Sequence, residues 1–164
     1  MTRNNKIFIW SLTVLIFLIS IYYMAWTMSP GSYGRAEVYE FEIPEENLIK
    51  IIKEFKSDNS ELDISSEDKL SSGKFPILRD GKEDSSNHWY KFYFYYPDKN
   101  QIIFTWTRAK SKMTSSFGFV RVNEGLNLGN WKDVNNNFLW WKNTPMKNEF
   151  EERILKKIKE KLDR

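Results

Sequence analysis

The chain has 164 residues, 41% of them hydrophobic and 29% charged, a balance that excludes a disordered polyelectrolyte and allows one domain of ordinary size. Much of the formal charge of +3 comes from Arg3 and Lys6, so the rest of the chain is near neutral and lacks the charge excess of a nucleic-acid binder. There is no cysteine, which excludes disulfides, thiol nucleophiles and cysteine-based metal sites.

Residues 7–28, IFIWSLTVLIFLISIYYMAWTM, are uncharged. As a helix they extend about 33 Å, enough for a hydrocarbon core of about 30 Å. Ser11, Thr13, Ser20 and Thr27 can bond their own helix backbone, and Trp10 at one end and Tyr22, Tyr23 and Trp26 at the other suit the two interfaces. Arg3 and Lys6 precede the run with no acidic residue, so the positive-inside rule predicts a single-pass signal anchor with a cytoplasmic N-terminus, residues 1–6. Residues 7–28 are then the contact with the lipid bilayer of the cell membrane, residues 29–35 a tether and residues 36–164 an exported domain. A cleaved signal peptide shares the basic start, but its apolar region is shorter and Ala25-Trp26-Thr27 fits a cleavage site poorly.

In AEVYEFEI, Tyr39, Phe41 and Ile43 alternate with Val38, Glu40 and Glu42, the period of a half-buried strand. PEENLIKIIKEFK follows, with Pro44 at the first helical position, Glu45 and Glu46 at the positive end of the dipole, and Leu48, Ile51, Ile52 and Phe55 on one stripe. This predicts an amphipathic helix covering a sheet. Residues 57–86 are mainly polar and predict a long loop with an anchored piece at 75–78. Asp80, Glu83, Asp84 and the single histidine, His88, cluster there, but their spacing does not match a calcium loop and one histidine without cysteine is a poor zinc set.

HWYKFYFYYPDKNQIIFTWTR, residues 88–108, predicts a β-hairpin with aromatic residues on both faces. Pro97 and Asn100 favour a four-residue turn that pairs Tyr96 with Gln101. In that register Lys91 lies opposite Trp106 and Trp89 opposite Arg108, both suited to cation–π contact. A slip of one residue, pairing Tyr95 with Gln101, gathers the apolar residues more cleanly on one face, so hydrophobic pattern and turn chemistry disagree. In either register Trp89, Lys91, Tyr93 and Tyr95 share a face, and these amphipathic side chains are the candidate interaction surface.

SSFGFVRV predicts a third strand of this sheet, entered from the lysine-bearing loop at 109–113. Residues 126–134 and 138–141 read as short strands or irregular cover, with Trp131, Trp140 and Trp141 closing the core rather than stacking nucleic acid. The chain ends in a helix capped by Thr144, with Pro145 first and Phe150, Ile154, Leu155, Ile158 and Leu162 on one stripe.

The predicted architecture is α+β: an N-terminal transmembrane helix, then one domain with an antiparallel sheet and two covering helices. No nucleophile elbow, zinc-protease helix or phosphate loop is present, and nothing indicates a cofactor or metal. The expected function is a non-enzymatic, membrane-anchored extracytoplasmic binding or accessory module with a protein partner in the envelope, reached through the aromatic face. The alternative is an envelope inhibitor or immunity-type protein that occludes a partner. A hydrolase using Asp80, Glu83 and Asp84 ranks behind both, because acids in a polar loop have no cause for a raised pKa.

Overall fold

The computed structural model describes residues 3–28, 33–64, 78–84 and 88–163. It divides into two units, Met1–Gly34 and Arg35–Arg164. The first contains helix α1, Arg3–Thr27, with no buried residue, long and apolar enough to cross a membrane, a property that signal sequences share. Its hydroxyls return to their own backbone: Thr13 donates to the Ile9 carbonyl at 2.9 Å, Ser20 to Ile16 at 2.8 Å and Thr27 to Met24 at 3.0 Å. These bonds keep the polar groups satisfied without water.

The second unit is α+β. Its elements are β1 Glu37–Phe41, α2 Glu45–Asp58, β2 Tyr90–Tyr96, β3 Gln101–Ala109, β4 Ser115–Glu124, β5 Trp131–Asp133, α3 Thr144–Phe150, a π-helical segment Glu151–Leu155 and α4 Lys156–Leu162. All pairings in the sheet are antiparallel, in the order β1-β4-β3-β2, with β5 also on β4. The anchored piece expected at 75–78 lies, but for Leu78, outside the described residues, as do tether residues 29–32.

One face of the sheet is covered by helices. Leu48, Ile52 and Phe55 of α2 meet Phe150, Ile154, Leu155 and Ile158 over Phe92, Phe94, Tyr96, Ile103, Phe117 and Phe119. The π-helical turn widens the last helix where its stripe needs it, so that the adjacent Ile154 and Leu155 are both buried. Phe150 stacks on Phe119 at 4.3 Å between centroids.

The turn settles the hairpin register: Tyr96 pairs with Gln101, and Asn100 takes the left-handed conformation at φ 50°. The slipped register is not adopted. Thr105 and Thr107, which make that register's competitor look less apolar, are buried on the helix-covered face with their hydroxyls satisfied, Thr105 donating to the Phe92 carbonyl at 3.2 Å and Thr107 to Glu45 at 3.0 Å. Between β3 and β4 the register shifts at Phe104/Thr105, leaving Val120 as an extra residue. This bulge lets Val120 be buried while Arg121 reaches Asp133 at 2.7 Å.

Two expectations are corrected. Trp140 and Trp141 do not close the core; they lie in a short 3₁₀ turn, Trp140–Lys142, 65% and 54% exposed, because the preceding loop is folded on its own asparagines. Thr144 does not cap the last helix. Asn143 holds the cap position, and its side-chain amide is engaged by Asn137 instead of the helix N-terminus.

Candidate functional site

The alternation of β2 places Lys91, Tyr93 and Tyr95 on the sheet face away from the helices, opposite Trp106, Phe104 and Ile102 respectively, with Trp89 just before the strand. All four candidate residues are half-buried. Tyr93 stacks on Phe104 at 5.1 Å between centroids, and Trp89 meets Trp106 edge-on at 4.4 Å. From the other side Trp131 of β5 stands against Phe104 at 6.2 Å. The outer rings therefore help cover a second apolar layer, Ile102, Phe104, Trp106 and Val120, all buried. This is why both faces of the hairpin read as apolar.

Of the two cation–π contacts suited to the register, Trp89 and Arg108 make theirs, with the guanidinium carbon 4.9 Å from the ring centroid. Lys91 turns to Glu83 at 2.7 Å. Its backbone exchanges two hydrogen bonds with Gly81, at 3.0 and 2.9 Å, so the loop bearing Asp80 and Glu83 occupies part of the β2 edge. Gly81 sits at φ 148°, a conformation that disfavours any side chain. Tyr95 donates its hydroxyl to Asn100 at 2.9 Å, tying the face to the turn.

At the Trp89 end the face opens into a cavity of about 320 Å³ lined by Glu40, Trp89, Trp106, Arg108, Lys110 and Ser116. Its floor depends on Gly118. A Cβ there would stand 2.3 Å from Cε2 of Trp106, so the missing side chain is what lets the indole lie against β4. The rim carries the exposed Arg108 and the pair Lys110–Glu40 at 2.5 Å. An aromatic wall with a guanidinium and a balanced ion pair is suited to an amphipathic ligand with carboxylate or carbonyl groups.

A second polar cluster lay hidden from sequence reasoning. Lys56, near the end of α2 and only 6% exposed, donates to Asp80 and to the Tyr93 carbonyl, the latter at 2.9 Å, and pairs with Asp63 at 3.1 Å. Asp80 also accepts the Tyr93 N–H at 2.9 Å. Contrary to the expectation that the acids of this polar loop have no cause for a raised pKa, burial pushes the Asp80 carboxyl above its ordinary value, with the charge of Lys56 opposing the shift. The signal available in the sequence was Lys56 falling just after the apolar stripe, one residue from Phe55. Its partners are too distant along the chain to be paired by pattern.

The candidate catalytic carboxylates Asp80, Glu83 and Asp84 are divided among different surroundings: Asp80 pairs with Lys56 and Glu83 with Lys91, while Asp84, like His88, is exposed. Among the described residues no three His, Cys, Asp or Glu side chains come together as a metal could require. Comparison of the chain with protein-family models, with curated proteins and with solved structures gives no match.

Proposed function

We propose that this chain is a single-pass membrane protein, cytoplasmic at its N-terminus, that displays its α+β domain outside the cell membrane as a binding or accessory module for an envelope protein. The anchor reading is supported by α1, a helix with no buried side chain, with the basic Arg3 and Lys6 at its N-terminal end ahead of the uncharged run and tryptophan near each end. The binding reading is carried by the Trp89 cavity, where an exposed arginine lies over a half-buried tryptophan beside open space. Trp, Tyr and Arg carry a disproportionate share of interface energy when they line such a depression. Lys91, Tyr93 and Tyr95 support the Trp89 wall and extend the surface along β2.

A photo-crosslinking amino acid at Ala109, on the exposed lining of the cavity, should capture a discrete protein in membranes, and capture should be lost on Trp89→Ala while the domain stays folded. An unchanged capture pattern with Trp89→Ala overturns the site. For the topology, a reporter fused after Arg164 should be active only if it matures outside the cytoplasm. A soluble exported product lacking residues 1–28 would replace the anchor with a cleaved signal.

A further inference from the structure

Trp140 and Trp141 are among the most exposed large apolar side chains of the second unit, and their rings meet edge to face at 6.0 Å between centroids. A patch of this kind on an otherwise polar surface marks a contact site. The turn that carries it is firmly built. Buried Asn143 accepts the main-chain and side-chain N–H groups of Asn137 at 3.1 and 2.8 Å and donates back to the Asn137 carbonyl at 3.1 Å. The N–H groups of Lys142 and Asn143 close on the Leu139 and Trp140 carbonyls at 2.9 and 3.0 Å. The frame holds the indoles out in solvent instead of letting them fold inward.

This turn adjoins the point where the chain enters the domain. Arg35 donates to Asn136 at 2.9 Å, and Asn135 donates to the Arg35 carbonyl at 3.3 Å and to Glu37 at 3.0 Å. Only residues 28–34 separate Thr27 from Arg35, a contour of at most about 28 Å. Lys142, exposed, follows the two indoles, and residues 134–148 hold no acid; Lys147 in the same stretch is paired with Glu37 at 3.1 Å, so Lys142 is the cation this turn presents to the anionic surface of a bilayer.

We infer that the Trp140–Trp141 turn is a second membrane contact, seating both indoles in the headgroup layer of the bilayer that α1 crosses, with Lys142 beside the lipid phosphates. The inference rests on the anchor reading above. Tryptophan combines an apolar body with a polar N–H and favours that layer, and a short tether makes the layer available to the adjacent turn at high effective concentration.

The cysteine-free full chain makes the test direct. It is reconstituted in phosphatidylethanolamine–phosphatidylglycerol vesicles, with an environment-sensitive fluorophore on Lys142→Cys or, as a control, on Asp163→Cys, which lies about 28 Å away along the last helix. The label at 142 should be quenched by doxyl lipid and shielded from iodide, and the label at 163 should show the reverse. Adding Trp140→Ser and Trp141→Ser should abolish the lipid quenching at 142 without changing the circular dichroism spectrum. If the chain floats with the vesicles but the two labels are equally open to iodide, the turn is not a lipid contact although the anchor stands. Shielding at 142 that appears only when a protein partner is added assigns the turn to that partner and also overturns the inference. A chain that does not float with the vesicles overturns the anchor and the contact together.

Discussion

The guanidinium carbon of Arg153 lies 3.9 Å from the centroid of the Tyr96 ring, and the same group forks onto Asp98 at 2.7 and 3.0 Å. The π-helical segment is thereby clamped to the hairpin turn, the turn that sets the register of the whole aromatic face. Replacing Arg153 with Met should lower stability by about 0.5–2 kcal/mol, the scale of its cation–π contact with the buried Tyr96 ring. Tyr96→Phe should do the opposite. The Tyr96 hydroxyl is buried without a hydrogen-bond partner among the described residues, so its removal should raise stability by about 1 kcal/mol while the ring stays under Arg153. Urea denaturation of Arg35–Arg164 measures both; a loss in Tyr96→Phe would reveal a hydroxyl partner.

The same clamp has a pH signature. The hydrogen bond from Arg153 holds the Asp98 carboxyl below the ordinary carboxylate range. A lowered folded value contributes stability above the unfolded value and loses it as pH falls through the folded one. The stability gap between the wild type and Arg153→Met should therefore be full at neutral pH and narrow below about pH 4. A gap that is the same at pH 3 and pH 7 would remove Asp98 from the account.

How much of this was legible depended on whether the information was local. Pro97 and Asn100 specify the hairpin turn within four residues, and the stripes of α2 and of the last helix repeat within two turns, so these elements could be read directly. The register could not be decided by hydrophobicity, because Phe104 and Trp106 are buried on one face and Thr105 and Thr107 on the other. The Lys56 cluster and the outward Trp140–Trp141 pair were illegible for a different reason. The Lys56 cluster depends on groups from distant segments, the Asp80 carboxylate and the Tyr93 carbonyl, while the Asn137–Asn143 closure that turns the tryptophans outward is local but follows no periodic or turn pattern. A tryptophan in a sequence carries no mark of which way its loop will fold.

Gly118 and Trp106 should behave as a coupled pair. Gly118→Ala places a Cβ within 2.8 Å of three indole atoms, and overpacking of this kind costs about 1–3 kcal/mol. Trp106→Leu alone should also destabilise, by leaving a cavity. Together they should cost less than the sum of the two, since the smaller side chain vacates the space that the methyl needs. Additive losses in a double-mutant cycle would mean that the indole does not rest on Gly118 in solution.

The helix-covered face carries a simpler expectation. Ile52 of α2 and Ile154 of the π-helical segment are both fully buried, on either side of one core. Ile52→Ala and Ile154→Ala should each destabilise Arg35–Arg164 by about 2–5 kcal/mol through the cavity left behind. Unfolding midpoints unmoved by either change would show that the helices do not pack on the sheet.

The buried Lys56 tests the balance of charge beneath β2. Asp80 and Asp63 share its ammonium, so Lys56→Met leaves two carboxylates facing a neutral side chain. Breaking such a partnership from one side costs about 3–5 kcal/mol, and here the cost should depend on pH in a definite direction. Asp80 is held above its ordinary value first by burial, with Lys56 opposing and Asp63 adding to the rise. A raised folded value means that the contribution of this group is fully present below the unfolded value and is lost as pH rises through the folded one. Without Lys56 the main opposing charge is gone and Asp80 should rise further, so the deficit of Lys56→Met against the wild type should be small in acid and grow toward neutrality. Hydrogen exchange at the Tyr93 amide, which donates to Asp80, should report the same trend locally. Denaturation curves at pH 4 and pH 7 are sufficient to decide: a deficit that is equal at both, or larger in acid, would mean that Asp80 is not the carboxylate neutralised by Lys56.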